Sequence, residues 1–474
     1  MLLTAEPEPP ACKTSTVANR SVPHTSAFRE PVQPPAERRA AGKALREVTP
    51  RTSHAAWDPS LRTAGVLEVI NRSNRGRQKD LLPLRHSRMA ASPFAFLRGS
   101  ALQMALDLSA TPVSGPEVQL CGDAHISNFG VFASPERRLV FDLNDFDETY
   151  PGPFEWDVKR LAASIAVAGR ERGLDAIATR RTVEDAVGEY RDWIDNYAAM
   201  TRLDLFYARL DTDDLLAVLD PDMRRRTEVQ FRRASSKNHL KALDKLTEVV
   251  DGKRRIVPDP PLVMPFGGPA LFSRLEVVLD GYLESLSAER RHLFEQYRFV
   301  DFARKVVGVG SVGTRCFMVL LQGPNGGPLF LQLKEAVQPS PAIALGHAFD
   351  GHQGRRVVEG QRQLQAVSDV LLGWGSDERA GRHFFLRQLW DAKGSFEIAE
   401  MRPAGFRAYT RLCAWALARA HARTGHPVVM AGYLGTGDTF PRAIAEFAEA
   451  YADQTERDHA TMVAAINAGK LPAA

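Results

Sequence analysis

The chain has 474 residues, 44% of them hydrophobic and 25% charged, with 61 Lys+Arg against 57 Asp+Glu for a formal charge of +4. That is the composition of an ordinary globular protein, long enough for about two to four packed units. The small charge bias supplies no electrostatic case for nucleic acid or a membrane surface, and no apolar run reaches the length of a membrane span. Cys12, Cys121, Cys316 and Cys413 are far apart and form no CxxC pair. They read as reduced thiols of a cytoplasmic protein, not as a zinc or disulfide framework. The N-terminus lacks the basic segment and apolar core of a secretory signal.

Residues 1–60 are rich in Pro, Ala, Arg, Ser and Thr, and are expected to be a disordered tail. Residues 61–298 read as a helical lobe. Within it, "SPFAFLRGSALQMALDL" starts with Ser92-Pro93, a good N-cap and N1 pair. "VQL" and "LVFDL" are short strands, and "FEWDVKRLAASIAVAGRERG" has apolar residues at helical spacing and stops at Gly. A long helical stretch is expected up to about Tyr297, interrupted near "VPDPPLVMPFGGP". Residues 299–400 read as β-rich, with strands around a Gly/Pro/Asn turn. "VVEGQRQLQAVSDVLLGW" reads as helix and "HFFLRQLWDAKGSFEIAEM" as strand. Residues 401–474 read as helices that pack back on the first region, beginning with "YTRLCAWALARAHARTG". The fold class is α+β.

The chemistry concentrates in two stretches. "QLCGDAHISNFG" carries Asp123 and, five residues on, Asn128. "LVFDLNDFDE" follows, with Asp142, Asp145 and Asp147 nearly in alternation. Carboxylates in an apolar strand are costly unless a cation meets them. Phosphoryl transfer needs a carboxylate to orient the attacking hydroxyl, and an amide and a carboxylate to hold Mg²⁺ on the phosphates. Far downstream, "GVGSVG" places Gly308, Gly310 and Gly313 before a strand. After a turn, "LFLQLKEA" brings one lysine, Lys334. Glycines, strand, turn and strand with an inward Lys is the order of a kinase nucleotide lobe, although Arg315 stands where a valine is expected. Glu359 on the next helix is a candidate ion-pair partner for Lys334. Glu335 is the poorer candidate because adjacent strand residues face opposite ways.

These motifs resemble the aminoglycoside and choline phosphotransferase branch of the kinase-like superfamily, which writes its loop H-G-D-x-H-x-x-N. Gly122, Asp123, His125 and Asn128 are in register, with Cys121 in place of the first His. "DFDETYPGPFEWDVKRLA" matches that branch's strand, turn and helix. The resemblance implies Asp123 as the base and Asn128 with Asp145 as Mg²⁺ ligands, Asp142 and Asp147 being competing candidates, and it places Asp157 on the helix. ATP would bind through Gly308, Gly310, Gly313, Lys334 and Glu359. The fold would be a two-lobe kinase-like one, circularly permuted, because the catalytic loop precedes the nucleotide lobe. The implied activity is a Mg²⁺- and ATP-dependent phosphotransferase with an unknown hydroxyl acceptor. A nucleotide-binding regulator without turnover and a nucleotidyl transferase on the same fold are the alternatives. A metallophosphoesterase is less well supported, because no Asn-His pair follows. "SPFAFLRG", "CGDAHISNFG", "FDLNDFDETYPGPFEWDVKRLA", "VVEGQRQLQAVSDVLLGW" and "YADQTERDH" identify the chain as a member of the bacterial domain-of-unknown-function family 2252, from Leu61 to the C-terminus. Arg98 reads as a helix-end arginine with phosphate contact as the other reading. The basic stretch "RRRTEVQFRRASSKNHLKALDK" reads as a solvated helix face, so nucleic acid is not an expected partner. His459 reads as an anchor of the C-terminal helix.

Overall fold

A computed structural model describes residues 32–212, 224–225, 228–229, 231, 243, 245–265, 269–389, 394 and 396–474. Most of the basic stretch at 224–245 therefore lies outside the described residues. The fold is a mixture of α and β.

The expected tail is in part a packed element. Helix α1 (Pro35–Val48) starts with Pro at N1 and is built of strong helix formers, Ala, Arg, Glu, Leu and Lys. It lies on the helix Pro427–Leu434, where Arg46 Nε donates to Tyr433 O at 2.8 Å. Pro- and Arg-rich composition hid this helix. Helices α2 (Val66–Asn74), α3 (Leu82–Ala90), α4 (Pro93–Gly99) and α5 (Ala101–Leu108) follow. The Ser92 hydroxyl caps α4, accepting from Ala95 N at 3.2 Å. Val66, Ile70, Met89 and Phe96 bury themselves against Met462 and Ala465 of the helix Thr439–Asn467, so helices α2–α4 share a core with the C-terminal helix. His459 contacts Ala90 O at 2.9 Å across this junction.

Strands β1 (Glu117–Leu120) and β4 (Tyr150–Pro153) pair antiparallel, and inside that connection β2 (Phe129–Ala133) pairs with β3 (Leu139–Leu143). Helix α6 (Phe154–Glu171) is buried along nearly its whole length. It packs with α7 (Ala176–Ala199) and the helix Pro403–Thr424 in the largest core.

The second region is a six-stranded antiparallel sheet of order β11-β12-β10-β9-β8-β7. Its strands are β7 (Val263–Pro265), β8 (Arg298–Lys305), β9 (Cys316–Gln322), β10 (Pro328–Ala336), β11 (Gly373–Asp377) and β12 (Arg382–Gln388). Period-two alternation fills both faces. Phe317, Val319 and Leu321 meet Leu275, Val278 and Tyr282 of the helix Pro269–Ser285, whereas Met318 and Leu320 meet Ile256 and Val263.

This sheet begins earlier than the boundary at 299 read from the sequence. The stretch expected to be helical contains β7 and a hairpin of β5 (Thr247–Val250) and β6 (Lys253–Ile256). Asp251 and Gly252, both at positive φ, make its turn. Asp-Gly between strands is a strong hairpin signal, and it was legible. The helix expected through Trp374 stops at Leu364, and Trp374 lies in β11. Among the described residues no helix is long and apolar enough to cross a membrane.

Candidate functional site

β1 delivers the chain to Cys121, Gly122 and Asp123. Gly122 has φ +81°, and a Cβ there would stand 2.1 Å from Glu148 O, so the turn requires glycine. The loop is pinned from α6: Asp157 accepts Cys121 N at 2.7 Å and Gly122 N at 3.0 Å, and contacts His421 Nε2 at 3.2 Å. Asp157 is thus a positioning residue. Three residues on, Arg160 donates from Nε to Asp123 Oδ1 at 2.8 Å. Helical i,i+3 spacing puts Asp157 and Arg160 on one face, so "DVKR" carried a readable signal that the sequence reading did not use. Burial pushes the Asp123 carboxyl up to about 6. Arg160 opposes the shift, and Glu148 and Asp145 add to it. His125 Nε2 lies 3.7 Å from Asp123 Oδ2, and burial beside Arg98 and Arg160 holds its imidazole neutral. Asn128 Nδ2 donates to Asp123 O at 2.8 Å, leaving its amide oxygen for a cation.

The three alternating aspartates separate. Asp142 sits within β3 and is not available as a metal ligand. Arg419 Nη2 donates to both of its oxygens at 2.7 Å, and Ala366 N donates at 3.0 Å. Asp145 and Asp147 lie beyond the strand and line a cavity with Asp123, Asn128 and Glu148.

Lys334 on β10 is ion-paired with Asp147. It does not meet Glu359, the partner read from the sequence. Glu359 is exposed and pairs with Arg355 at 2.7 Å, one turn away. The helix Gln353–Leu364 instead reaches the acidic segment through Arg356, which donates to Asp147 O at 2.9 Å and Thr149 O at 2.6 Å. Glu335 pairs with Arg315 at 3.1 Å and Arg382 at 3.3 Å.

The Gly308–Gly313 loop joins β8 to β9. Gly310, Ser311 and Thr314 line the same cavity, and Ser311 Oγ contacts Asp147 Oδ2 at 3.4 Å from 164 positions away in sequence. Gly313 has φ +89°, with Arg77 packed beneath it. Arg88 donates to Gly308 O at 2.5 Å, Arg77 to Val312 O at 2.6 Å and Gln78 N to Gly313 O at 2.8 Å. The helical region therefore seats this loop. Arg98, read as a helix-end residue, lines the cavity too.

The cavity measures about 80 Å³. That is below the roughly 300–1,000 Å³ of a small-molecule site, so it suits one end of a ligand. Beside it, a hollow of about 440 Å³ is lined by Phe94, Arg98, Ser127, Phe129, Phe396 and Tyr409, among others. Arg98 is common to both.

Among the described residues, no group of three or more His, Cys, Asp or Glu side chains is arranged to hold a metal ion. Magnesium is often held by one or two carboxylates with the substrate's phosphates completing its octahedron. Asn128 and Asp145, with Oδ1 of Asp147, which has no hydrogen-bond partner among the described residues, fit a cation of that kind and not one caged by protein alone.

A family described as "Uncharacterized protein conserved in bacteria (DUF2252)" matches residues 77–465. The chain belongs to this family. The matched span takes in the Asp123 loop, the acidic segment, the glycine loop and Lys334. No curated protein and no solved structure matches the chain.

Proposed function

We propose that this member of the family is a Mg²⁺- and ATP-dependent phosphotransferase acting on a small hydroxylated acceptor. One observation carries the reading. The Gly308–Gly313 loop reaches the cavity lined by Asp123, Asn128, Asp145 and Asp147, and Lys334 pairs with Asp147 at its edge, although two distant stretches of sequence supply them. A carboxylate, an amide, a metal aspartate, a glycine loop and a strand lysine are the parts a kinase assembles around the phosphates. In this reading the helical region is the catalytic lobe and the sheet is the nucleotide lobe. Their order is reversed relative to kinases, as a circular permutation would leave them. Permutation is tolerated where the termini are close at the surface.

Asn128 and Asp145 would hold Mg²⁺, which when bound would supply positive charge against the charge of the phosphates. Lys334 would hold the phosphates from the sheet side. Asp123, held by Arg160, would orient the acceptor hydroxyl and take its proton. The 440 Å³ hollow beyond Arg98 leaves room for the acceptor. Calorimetry tests the first requirement. ATP should bind only with Mg²⁺ or Mn²⁺, and binding should vanish in Asp145→Ala or with a chelator. Metal-independent or absent binding by folded protein overturns the reading. ATP labelled separately at the α- and γ-phosphates separates phosphoryl from nucleotidyl transfer.

A further inference from the structure

Among the described residues, three arginines on the helical wall of the cavity have no carboxylate bonded to them. Arg85 on α3 is 1% exposed. It donates to Asn74 Oδ1 at 2.7 Å, Ser73 Oγ at 3.2 Å and Gly99 O at 3.0 Å, all neutral oxygens. Burial holds its charged form well down, and the neighbouring charge it meets is another arginine, Arg77. Its Nε has no hydrogen-bond partner among the described residues. Arg77 donates to Ser73 O at 2.7 Å and Val312 O at 2.6 Å, again neutral. Arg98 Nε is buried and also partnerless among the described residues. All three line the same cavity.

The neighbouring cations behave differently. Lys334 pairs with Asp147, Arg160 with Asp123 and Arg315 with Glu335. The carboxylates of Asp123 and Asp145 act on Arg98 through space, and those of Glu148, Asp147 and Glu335 on Arg77. None is bonded to either guanidinium. A buried guanidinium without a bonded counter-ion is costly. Its planar fork of donors matches the oxygens of a phosphate.

We propose that Arg77, Arg85 and Arg98 form an oxyanion-binding wall that holds one tetrahedral phosphoryl group in this cavity of about 80 Å³. That the group is the one transferred from ATP rests on the phosphotransferase reading; that an oxyanion binds there does not. The carboxylates and their cation would hold the phosphoryl from the strand side, and the arginines from α2 to α4. Inorganic phosphate alone should therefore bind, more tightly with Mg²⁺ present but without requiring nucleotide.

Titration calorimetry of the full chain with inorganic phosphate, with and without Mg²⁺, tests this. The wild-type protein should bind one phosphate. Arg98→Gln should weaken it by roughly tenfold or more, the scale of a lost hydrogen bond to a charged group. Arg77→Gln is the second variant, and a melting curve on each confirms the fold. No binding by wild-type protein at millimolar phosphate, or unchanged affinity in both folded variants, overturns the proposal. A parallel Mg²⁺-ATP titration separates it from the phosphotransferase reading. Arginine-dependent phosphate binding without ATP binding keeps the wall and removes the phosphotransferase. Asp145-dependent ATP binding with phosphate affinity indifferent to both arginines does the reverse.

Discussion

Asp142 and Asp147 belong to one short acidic segment, and each is joined to a buried cation. Asp142 is 2% exposed against a fully buried Arg419. Its oxygens are taken by that guanidinium and by the backbone N–H groups of Leu143 and Ala366. It ties β3 to the helix Pro403–Thr424 and to the end of the helix Gln353–Leu364, whose Leu364 O also accepts from Arg419 at 2.9 Å. Asp147 is 26% exposed. One oxygen meets Lys334 and Ser311, and the other has no partner among the described residues. The first pair closes on the protein. The second leaves an acceptor over, beside a cavity. Alternation in sequence groups the aspartates together, but β3 ends at Leu143 and separates them: inside the strand the carboxylate is structural, and past its end it faces the cleft.

Removing Asp142 should have the largest effect. Breaking one side of a buried ion pair costs about 3–5 kcal/mol, because Arg419 would keep its charge with no counter-ion. Asp142→Ala should lower the urea midpoint sharply or abolish folding. Lys334→Met should cost much less stability, because Asp147 is partly open to water. If the two variants unfold alike, the distinction between the closed and the open pair fails.

Asp123 belongs with the open kind, held by Arg160 yet lining the cavity. Asp123→Asn keeps its shape and removes its charge. Turnover should fall by roughly two orders of magnitude or more, the scale of a lost general base, with Mg²⁺-ATP affinity nearly unchanged and a lowered melting temperature, because the buried Arg160 loses its counter-ion. In the proposed reaction the carboxylate is the working form, and its carboxyl is pushed up to about 6. A bound cation would lower that value, so activity should rise with pH along a limb at or below about pH 6. A variant that turns over a true acceptor at the wild-type rate would make Asp123 a loop residue only.

Lys334→Met is the sharper probe at the nucleotide. It should weaken Mg²⁺-ATP binding by roughly tenfold, as expected for losing a charge-assisted hydrogen bond, and lower the rate as well. Unchanged ATP affinity would leave the Lys334–Asp147 pair as a strut between sheet and helices.

Much of this geometry was legible in the sequence. The Ser92-Pro93 cap, strands β1 and β3, helix α6 and the strands flanking the glycine loop all follow from local pattern. Asp123, Asn128, Asp145 and Gly310, each picked out by a local motif, line one cavity. What local pattern could not supply was partner choice across distance. Arg419 lies 277 positions from Asp142, and no periodicity links them. Nor does composition distinguish Arg77, Arg85 and Arg98 from the many exposed arginines of this chain. Helix α1 and the β5–β6 hairpin were missed for a different reason. Pro/Arg bias masked the one, and a helical expectation overrode the Asp-Gly turn of the other.

Glu359 gives the smallest expected effect and the cleanest test of where the lysine's counter-charge resides. The resemblance to kinases makes it the expected partner of Lys334. In the structure its side chain is 45% exposed and bonds Arg355 one turn away. An exposed i,i+4 pair contributes about 0.3–0.5 kcal/mol, and salt screens it further. Glu359→Ala should therefore lower the melting temperature barely measurably and leave Mg²⁺-ATP affinity at the wild-type value. Asp147→Ala should weaken ATP binding, because it removes both the lysine's partner and a carboxylate beside the cation. If the ranking inverts, so that Glu359→Ala weakens nucleotide binding and Asp147→Ala does not, then the helix must move to form the glutamate–lysine pair when nucleotide binds, and Asp147 holds the lysine only while the site waits. If both variants bind ATP as the wild type does, Lys334 needs neither carboxylate, and the open pair would be a packing contact like its closed neighbour.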